Sequence, residues 1–166
     1  MAAVIIILDQ ITKAIIVMNV EPIYEQGFRI NVIGEFFRII HARNPGIAFS
    51  IGHQLPDGLR SVLFVILPLG VLVALVVFYF RSDEFTGTQR WCIAGIIGGG
   101  IGNLIDRIFR PEGVVDFLDF RFYGIFGLER WPTFNVADAT VVVSSILLLV
   151  TLVFEDTGET GNEQEG

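Results

Sequence analysis

The sequence is poor in the residues that most enzymes and binding modules lean on. It holds one cysteine, Cys92, in an apolar run, so no internal disulfide is possible and no redox compartment follows from it. There is no CxxC. The two histidines, His41 and His53, have no second ligand set nearby and read as ordinary loop residues, so no metal and no organic cofactor is expected. Charge is scarce as well. Only 17% of the residues are Asp, Glu, Lys or Arg, against about 25% in an ordinary soluble domain. The eleven Lys and Arg are scattered without a basic stripe, which excludes a nucleic-acid partner. The net charge of −7 is local. Glu155, Asp156, Glu159, Glu163 and Glu165 fall in the last twelve residues, leaving −2 on the rest.

What remains is apolar. Of the 166 residues 52% are hydrophobic, and the mean hydropathy is +0.65. A membrane helix needs roughly 20 apolar residues, and four segments approach that, at about 1–20, 61–80, 90–106 and 134–154. Trp91, Trp131 and Tyr79 lie near their ends, where interfacial aromatics belong. The expected fold is an all-α membrane protein of four transmembrane helices, forming one domain over 1–154, with an acidic, disordered tail over 155–166. The start has no basic n-region and no cleavage pattern, so it is not a signal peptide. Only eight residues precede Asp9 and none of them is basic, so a basic leader ahead of the first segment is expected.

Four spans put both termini on one side and leave the loops 21–60 and 107–133 together on the other. Phe28–Ile33 and Phe36–Arg43 read as strands around a Gly34-Glu35 turn, a hairpin lying on the membrane surface. Val114–Tyr123 reads as a further extended piece. Arg29, Arg38, Arg43, Arg60, Arg107, Arg110, Arg121 and Arg130 all lie in these two loops, so a bare positive-inside count places them in the cytoplasm.

Against this background the polar islands stand out, because ionisable groups in hydrocarbon are costly and tend to be functional. Asp116 lies just beyond the third helix and Asp138 about a turn inside the fourth, some ~6 Å deep at 1.5 Å per residue. Both reach the same membrane face. Two carboxylates in one low-dielectric site cannot easily both ionise, so one keeps a proton, and the pair can act as acid and base on one water. That chemistry hydrolyses an amide without a Ser or Cys nucleophile. The plainer alternative makes Asp116 a loop acid and Asp138 a helix cap. Asn103, Asp106 and Arg107 share one face of the third helix, either as support for the pair or as a helix-end Asp106–Arg107 salt bridge. Gly95, Gly98, Gly99, Gly100 and Gly102 form overlapping G-x-x-x-G patterns suited to close helix packing. Asp9 and Lys13 are spaced as an intrahelical ion pair, primarily structural. Asn44-Pro45-Gly46 is a turn, with hydrogen bonding to a substrate carbonyl as the other reading.

The chain resembles the lipoprotein signal peptidases (signal peptidase II), membrane aspartic peptidases of bacteria. The resemblance runs from about Leu8 to Asp138 through five motifs in the family's order: Leu8-Asp9-Gln10-Ile11-Thr12-Lys13; Asn44-Pro45-Gly46-Ile47-Ala48-Phe49-Ser50; Gly98 to Arg107, ending in Asn103-Leu104-Ile105-Asp106-Arg107; Val114-Val115-Asp116-Phe117; and Phe134-Asn135-Val136-Ala137-Asp138. It implies that Asp116 and Asp138 activate water to cut before the diacylglyceryl-modified cysteine of a prolipoprotein. Asn44, Asn103, Arg107 and Asn135 would hold substrate and dyad, with Asp9, Lys13, Gly46, Asp106 and Ala137 in support. It further implies a monomer in the bacterial cytoplasmic (inner) membrane, with both termini cytoplasmic, the active site near the outer face, the hairpin as a membrane-lying cradle, and inhibition by cyclic lipopeptides. The family orientation overrides the arginine count. A rival from another class is a small transporter whose acids form a proton or ion relay; a third is a structural membrane subunit.

Overall fold

The structure is a computed structural model. It describes residues 1–26, 28–46, 56, 58–59 and 62–159, excepting the side chains of 25, 26 and 155–159. Among the described residues four helices are long and apolar enough to cross a membrane: Ala2–Asn19 (α1), Val62–Arg81, Gly87–Phe109 (α4) and Val136–Phe154. The second opens with a π-helical turn, Val62–Ile66, and continues as α3, Leu67–Arg81. Pro68, which has no N–H to donate, falls in the first turn after the change of winding. α4 starts three residues ahead of its expected boundary. Thr86 and Gln89 form a capping box there, the Thr86 hydroxyl accepting from the Gln89 N–H. The last helix, α5, runs over Val136–Glu159. It therefore continues into the tail expected to be disordered, while residues 160–166 lie outside the described residues, as do Ile47–Ser50 of the second motif and His53.

The expected hairpin is present, and it is the core of a three-stranded antiparallel sheet. β1 (Ile30–Ile33) pairs with β2 (Phe37–Asn44), and β2 pairs with β3 (Val114–Phe120). A four-residue helix, α2 (Ile23–Gln26), precedes it in a stretch that has no helical period. Register across β2 and β3 sets Arg38 opposite Asp119 and Ala42 opposite Asp116. Arg38 Nη2 approaches Asp119 Oδ2 at 2.6 Å, and Arg130 Nη1 donates to the same oxygen at 3.0 Å, which pins the sheet's outer end. Ile16 of α1 and Val20 just beyond its end pack with Val115 and Phe117 of β3, so the sheet sits over the end of the bundle where α1 and α4 finish and α5 begins. His41 belongs to β2, not to a loop, and is buried, with Nδ1 2.8 Å from the Val20 carbonyl.

The glycines of α4 let that helix press against three others. A Cβ on Gly98 would lie 2.9 Å from the Ala2 carbonyl oxygen of α1. One on Gly99 would lie 2.5 Å from the Ala137 carbonyl oxygen of α5, and one on Gly100 2.6 Å from Leu72 of α3. α4 is the centre of the bundle, whereas α3 buries little beyond Leu72 and turns most of its surface outward. In a bilayer that outward surface meets lipid, so its apolar side chains need no protein partner.

Candidate active site

Asp116 reaches the bundle end on β3. Asn44, at the end of β2, lies on the same face of the sheet, diagonal to it. Its Nδ2 donates to Asp116 Oδ2 at 3.0 Å, while its Oδ1 accepts the Gly46 N–H at 3.2 Å. The turn and the polar contact, set as alternatives in the sequence, are made by one side chain. Gly113, between α4 and β3, has φ +101° and backs onto the Asn44–Pro45 backbone, where a side chain has no room.

Asp138 is the third residue of α5, and it does cap the helix. Asn135 Oδ1 accepts the Asp138 N–H at 2.9 Å, and Asp138 Oδ2 accepts the Asn135 N–H at 3.2 Å. Capping does not exhaust either residue. Asn135 Nδ2 donates to Asp116 Oδ1 at 2.8 Å and to Asn103 Oδ1 at 3.1 Å. Asn103 Nδ2 donates to Asp138 Oδ1 at 2.7 Å. Asn135 therefore touches both carboxylates, and residues 22 positions apart in sequence share one hydrogen-bonded cluster.

Beneath the cluster lies a buried ionic frame. Lys13 Nζ is 2.9 Å from Asp9 Oδ2, 2.9 Å from Asp106 Oδ2 and 2.9 Å from Asn103 Oδ1. All three charged side chains are fully buried. Asp9 Oδ1 accepts the N–H of Ala137, next to Asp138. Asp106 Oδ2 accepts the N–H of Val115, next to Asp116. Each frame carboxylate thus fixes the backbone beside one of the two aspartates. Arg110 pairs with the remaining Asp106 oxygen, so the frame is neutral. Ala137 has no exposed surface, and a Cβ on Gly102 would lie 2.7 Å from Asp9 Oδ2, so both positions require small residues.

Arg107 is placed differently from its expected salt bridge with Asp106. Asp106 is bound by Lys13 and Arg110, whereas Arg107 Nη1 donates to the Phe64 carbonyl at 3.3 Å and its guanidinium lies 5.4 Å from the Phe64 ring. It ties the end of α4 to the π-helical turn, from where its charge still acts on Asp116 and Asp138. Arg110 was legible by the same i, i+4 spacing that joins Asp9 to Lys13. Gln10 was not. Its Nε2 lies 3.1 Å from Asp9 Oδ2, 3.0 Å from the Gly102 carbonyl and 3.1 Å from Asp106 Oδ1, bracing α1 on α4, and only its polarity in an apolar helix marked it.

The electrostatics separate the two aspartates' surroundings. Burial, reinforced by the charge of Asp138, pushes the Asp116 carboxyl up to about 7, despite the opposing hydrogen bonds from Asn44 and Asn135 and the charge of Lys13. Asp116 is 3% exposed. Asp138 is half-buried and borders a cleft of about 530 Å³ lined by Trp131, Phe134, Ala139, Val142 and Val143. Val142 and Val143 are exposed on a membrane-spanning helix, so the cleft runs from Asp138 along the apolar surface of α5.

Comparison with known proteins identifies the family and the fold. The family model for Signal peptidase (SPase) II matches residues 1–154. The lipoprotein signal peptidase of Treponema pallidum (strain Nichols) is 48% identical over 155 residues, covering 93% of this chain and 82% of that protein. That of Treponema denticola is 46% identical over 157 residues, covering 93% and 87%. A bacterial membrane enzyme solved by the in meso method at 2.3 Å resolution superposes with a TM-score of 0.78 at 30% identity, over 99% of this chain and 90% of its own. A second, solved at 1.9 Å, gives 0.74 at 32% identity, over 91% and 88%.

Proposed function

The chain belongs to the signal peptidase II family, and from that premise we propose that Asp116 and Asp138 are the pair with which it hydrolyses its substrate. The protein is a multi-pass bacterial membrane peptidase that removes the signal peptide from prolipoproteins. The observation that carries the residue assignment is Asn135, which contacts both carboxylates at once. An aspartate pair held by shared amide donors at the mouth of a membrane-facing cleft suits an amide bond presented from the bilayer.

In the proposed mechanism Asp116 starts protonated and Asp138 ionised. Asp138 takes a proton from water as the water oxygen attacks the scissile carbonyl carbon, and Asp116 gives its proton to the carbonyl oxygen. Collapse of the neutral gem-diol breaks the C–N bond. The proton on Asp138 goes to the leaving nitrogen, and one hydroxyl proton returns to Asp116, which restores the starting state. The scissile bond is the one before a diacylglyceryl-modified cysteine, whose lipid stays in the membrane while the apolar cleft beside Asp138 receives the adjoining chain. The enzyme works as a monomer with its termini in the cytoplasm and its sheet on the outer face, where a cyclic lipopeptide could occupy the same cleft.

The test is cleavage of a lipid-modified precursor by purified protein in detergent. Asp116→Asn and Asp138→Asn should each lower the rate by about 10²–10⁴-fold, the range for loss of a positioned acid or base. Near-normal cleavage by either folded variant contradicts the assignment.

A further inference from the structure

Lys13 is the one ammonium in the bundle interior, and an ion pair with Asp9 alone would account for it. Its other contacts go further. Nζ also meets Asp106 and Asn103, so its three donors are directed to three different side chains. The two carboxylates hold the backbone beside Asp138 and Asp116, through Ala137 and Val115. The third contact helps set the direction of an amide. With Oδ1 facing both the ammonium and the Asn135 Nδ2–H, Asn103 turns its Nδ2 toward Asp138.

We propose that Lys13 is a positioning residue for the reaction, which orients the Asn103 amide so that it donates to Asp138 and supplies positive charge beneath the aspartate pair. The proposal rests on the assignment of Asp116 and Asp138 above. The charged groups facing Lys13 are Asp9 of α1, Asp106 of α4, Asp116 of β3 and Asp138 of α5, with Arg110 against Asp106 and Arg107 beyond. Among them Lys13 is the cation in direct contact with the buried acids Asp9 and Asp106 and with the amide bound to Asp138. Its charge opposes the burial that raises Asp116, so without it Asp116 should hold its proton to still higher pH.

Removing Lys13 alone leaves the buried Asp9 carboxylate without a cation, so the informative variant is charge-balanced. Lys13→Met with Asp9→Asn leaves Asp106 paired with Arg110, and the side-chain amide carbonyl introduced by Asp9→Asn can still accept from the Ala137 N–H. Two readouts apply. Infrared titration of the Asp116 carboxyl, assigned by difference against Asp116→Asn, needs no substrate; its midpoint should rise above the wild-type value. Cleavage of the lipid-modified precursor should fall about 10–100-fold in kcat, the worth of one charge-assisted hydrogen bond, with its pH profile displaced upward. Adding Asn103→Leu should cost clearly less than it does in wild type, because both changes break the same path. A folded variant with unchanged titration and pH profile overturns the proposal, and so do fully additive losses. If neither this pair nor Lys13→Met with Asp106→Asn yields folded protein, Lys13 is a fold element and the proposal also fails. Failure of the aspartate assignment shows separately, as full activity in Asp116→Asn or Asp138→Asn.

Discussion

Replacing Asp116 by asparagine should make the protein more stable while lowering cleavage by about 10²–10⁴-fold. In the folded chain Asp116 keeps its proton to about pH 7, against an ordinary value of 3.8, chiefly because it is buried and secondarily because Asp138 lies nearby. Between those values the folded state binds more protons than the unfolded one, so stability declines as pH rises through the window and levels off above it. The difference in proton affinity is worth roughly 4 kcal/mol at the top of the window. Asparagine mimics the neutral carboxyl in shape but replaces one acceptor facing Asn44 or Asn135 with a donor, which costs about 1–3 kcal/mol. A net gain of about 1–3 kcal/mol is therefore expected at pH 8, or about 3–10 °C in melting temperature for a chain of this size. Thermal unfolding in detergent, followed by intrinsic fluorescence from pH 5 to pH 9, reads the effect. The variant's advantage should shrink steadily below pH 7. A variant less stable than wild type at pH 8, or an advantage independent of pH, would refute the reasoning.

Other consequences follow from the same cluster. Cleavage by wild type should decline as pH passes about 7, because in the proposed mechanism Asp116 then loses the proton it delivers; a rate still rising at pH 9 would place the acid elsewhere. Asn135→Asp should keep the α5 cap, since a carboxylate accepts the Asp138 N–H, yet lose the donor to Asp116 and with it about 10-fold or more in kcat. A folded Asn135→Asp enzyme of normal kcat would remove Asn135 from the site. Gly102→Ala should cost about 1–3 kcal/mol in thermal unfolding, because its methyl would lie 2.7 Å from Asp9 Oδ2 in the ionic frame. Processing should survive a strong chelator, and loss restored by zinc would indicate metal chemistry instead.

The broad fold was legible because hydropathy is a strong signal. Twenty apolar residues have few alternatives to a membrane helix, and the expected spans lie within a few residues of the observed ones. The hairpin was legible because β-branched and aromatic residues flank Gly34-Glu35. The third strand was legible as an extended segment, but its pairing with β2 rests on contacts about 75 residues apart, which local pattern does not carry. Spacing brought Asp116 and Asp138 to one end of the bundle; it could not show that Asn135 reaches both. The Asp9–Lys13 pair was visible as an i, i+4 motif, whereas its closure by Asp106 spans two helices and appears only in three dimensions. Of the two readings open for Arg107, the Asp106 salt bridge is not formed, because Asp106 at i meets Arg110 at i+4 while Arg107 turns to the Phe64 carbonyl.

The central claim is that an aspartate pair, one buried and one half-buried and both contacted by Asn135, cleaves a lipid-modified precursor. It is tested most directly by incubating purified wild-type, Asp116→Asn and Asp138→Asn proteins with a diacylglyceryl-modified prolipoprotein and measuring released signal peptide by mass spectrometry. Wild type should release it, and both variants, folded and monodisperse in detergent, should show losses of about 10²–10⁴-fold. Release by either variant at a rate close to wild type would contradict the account.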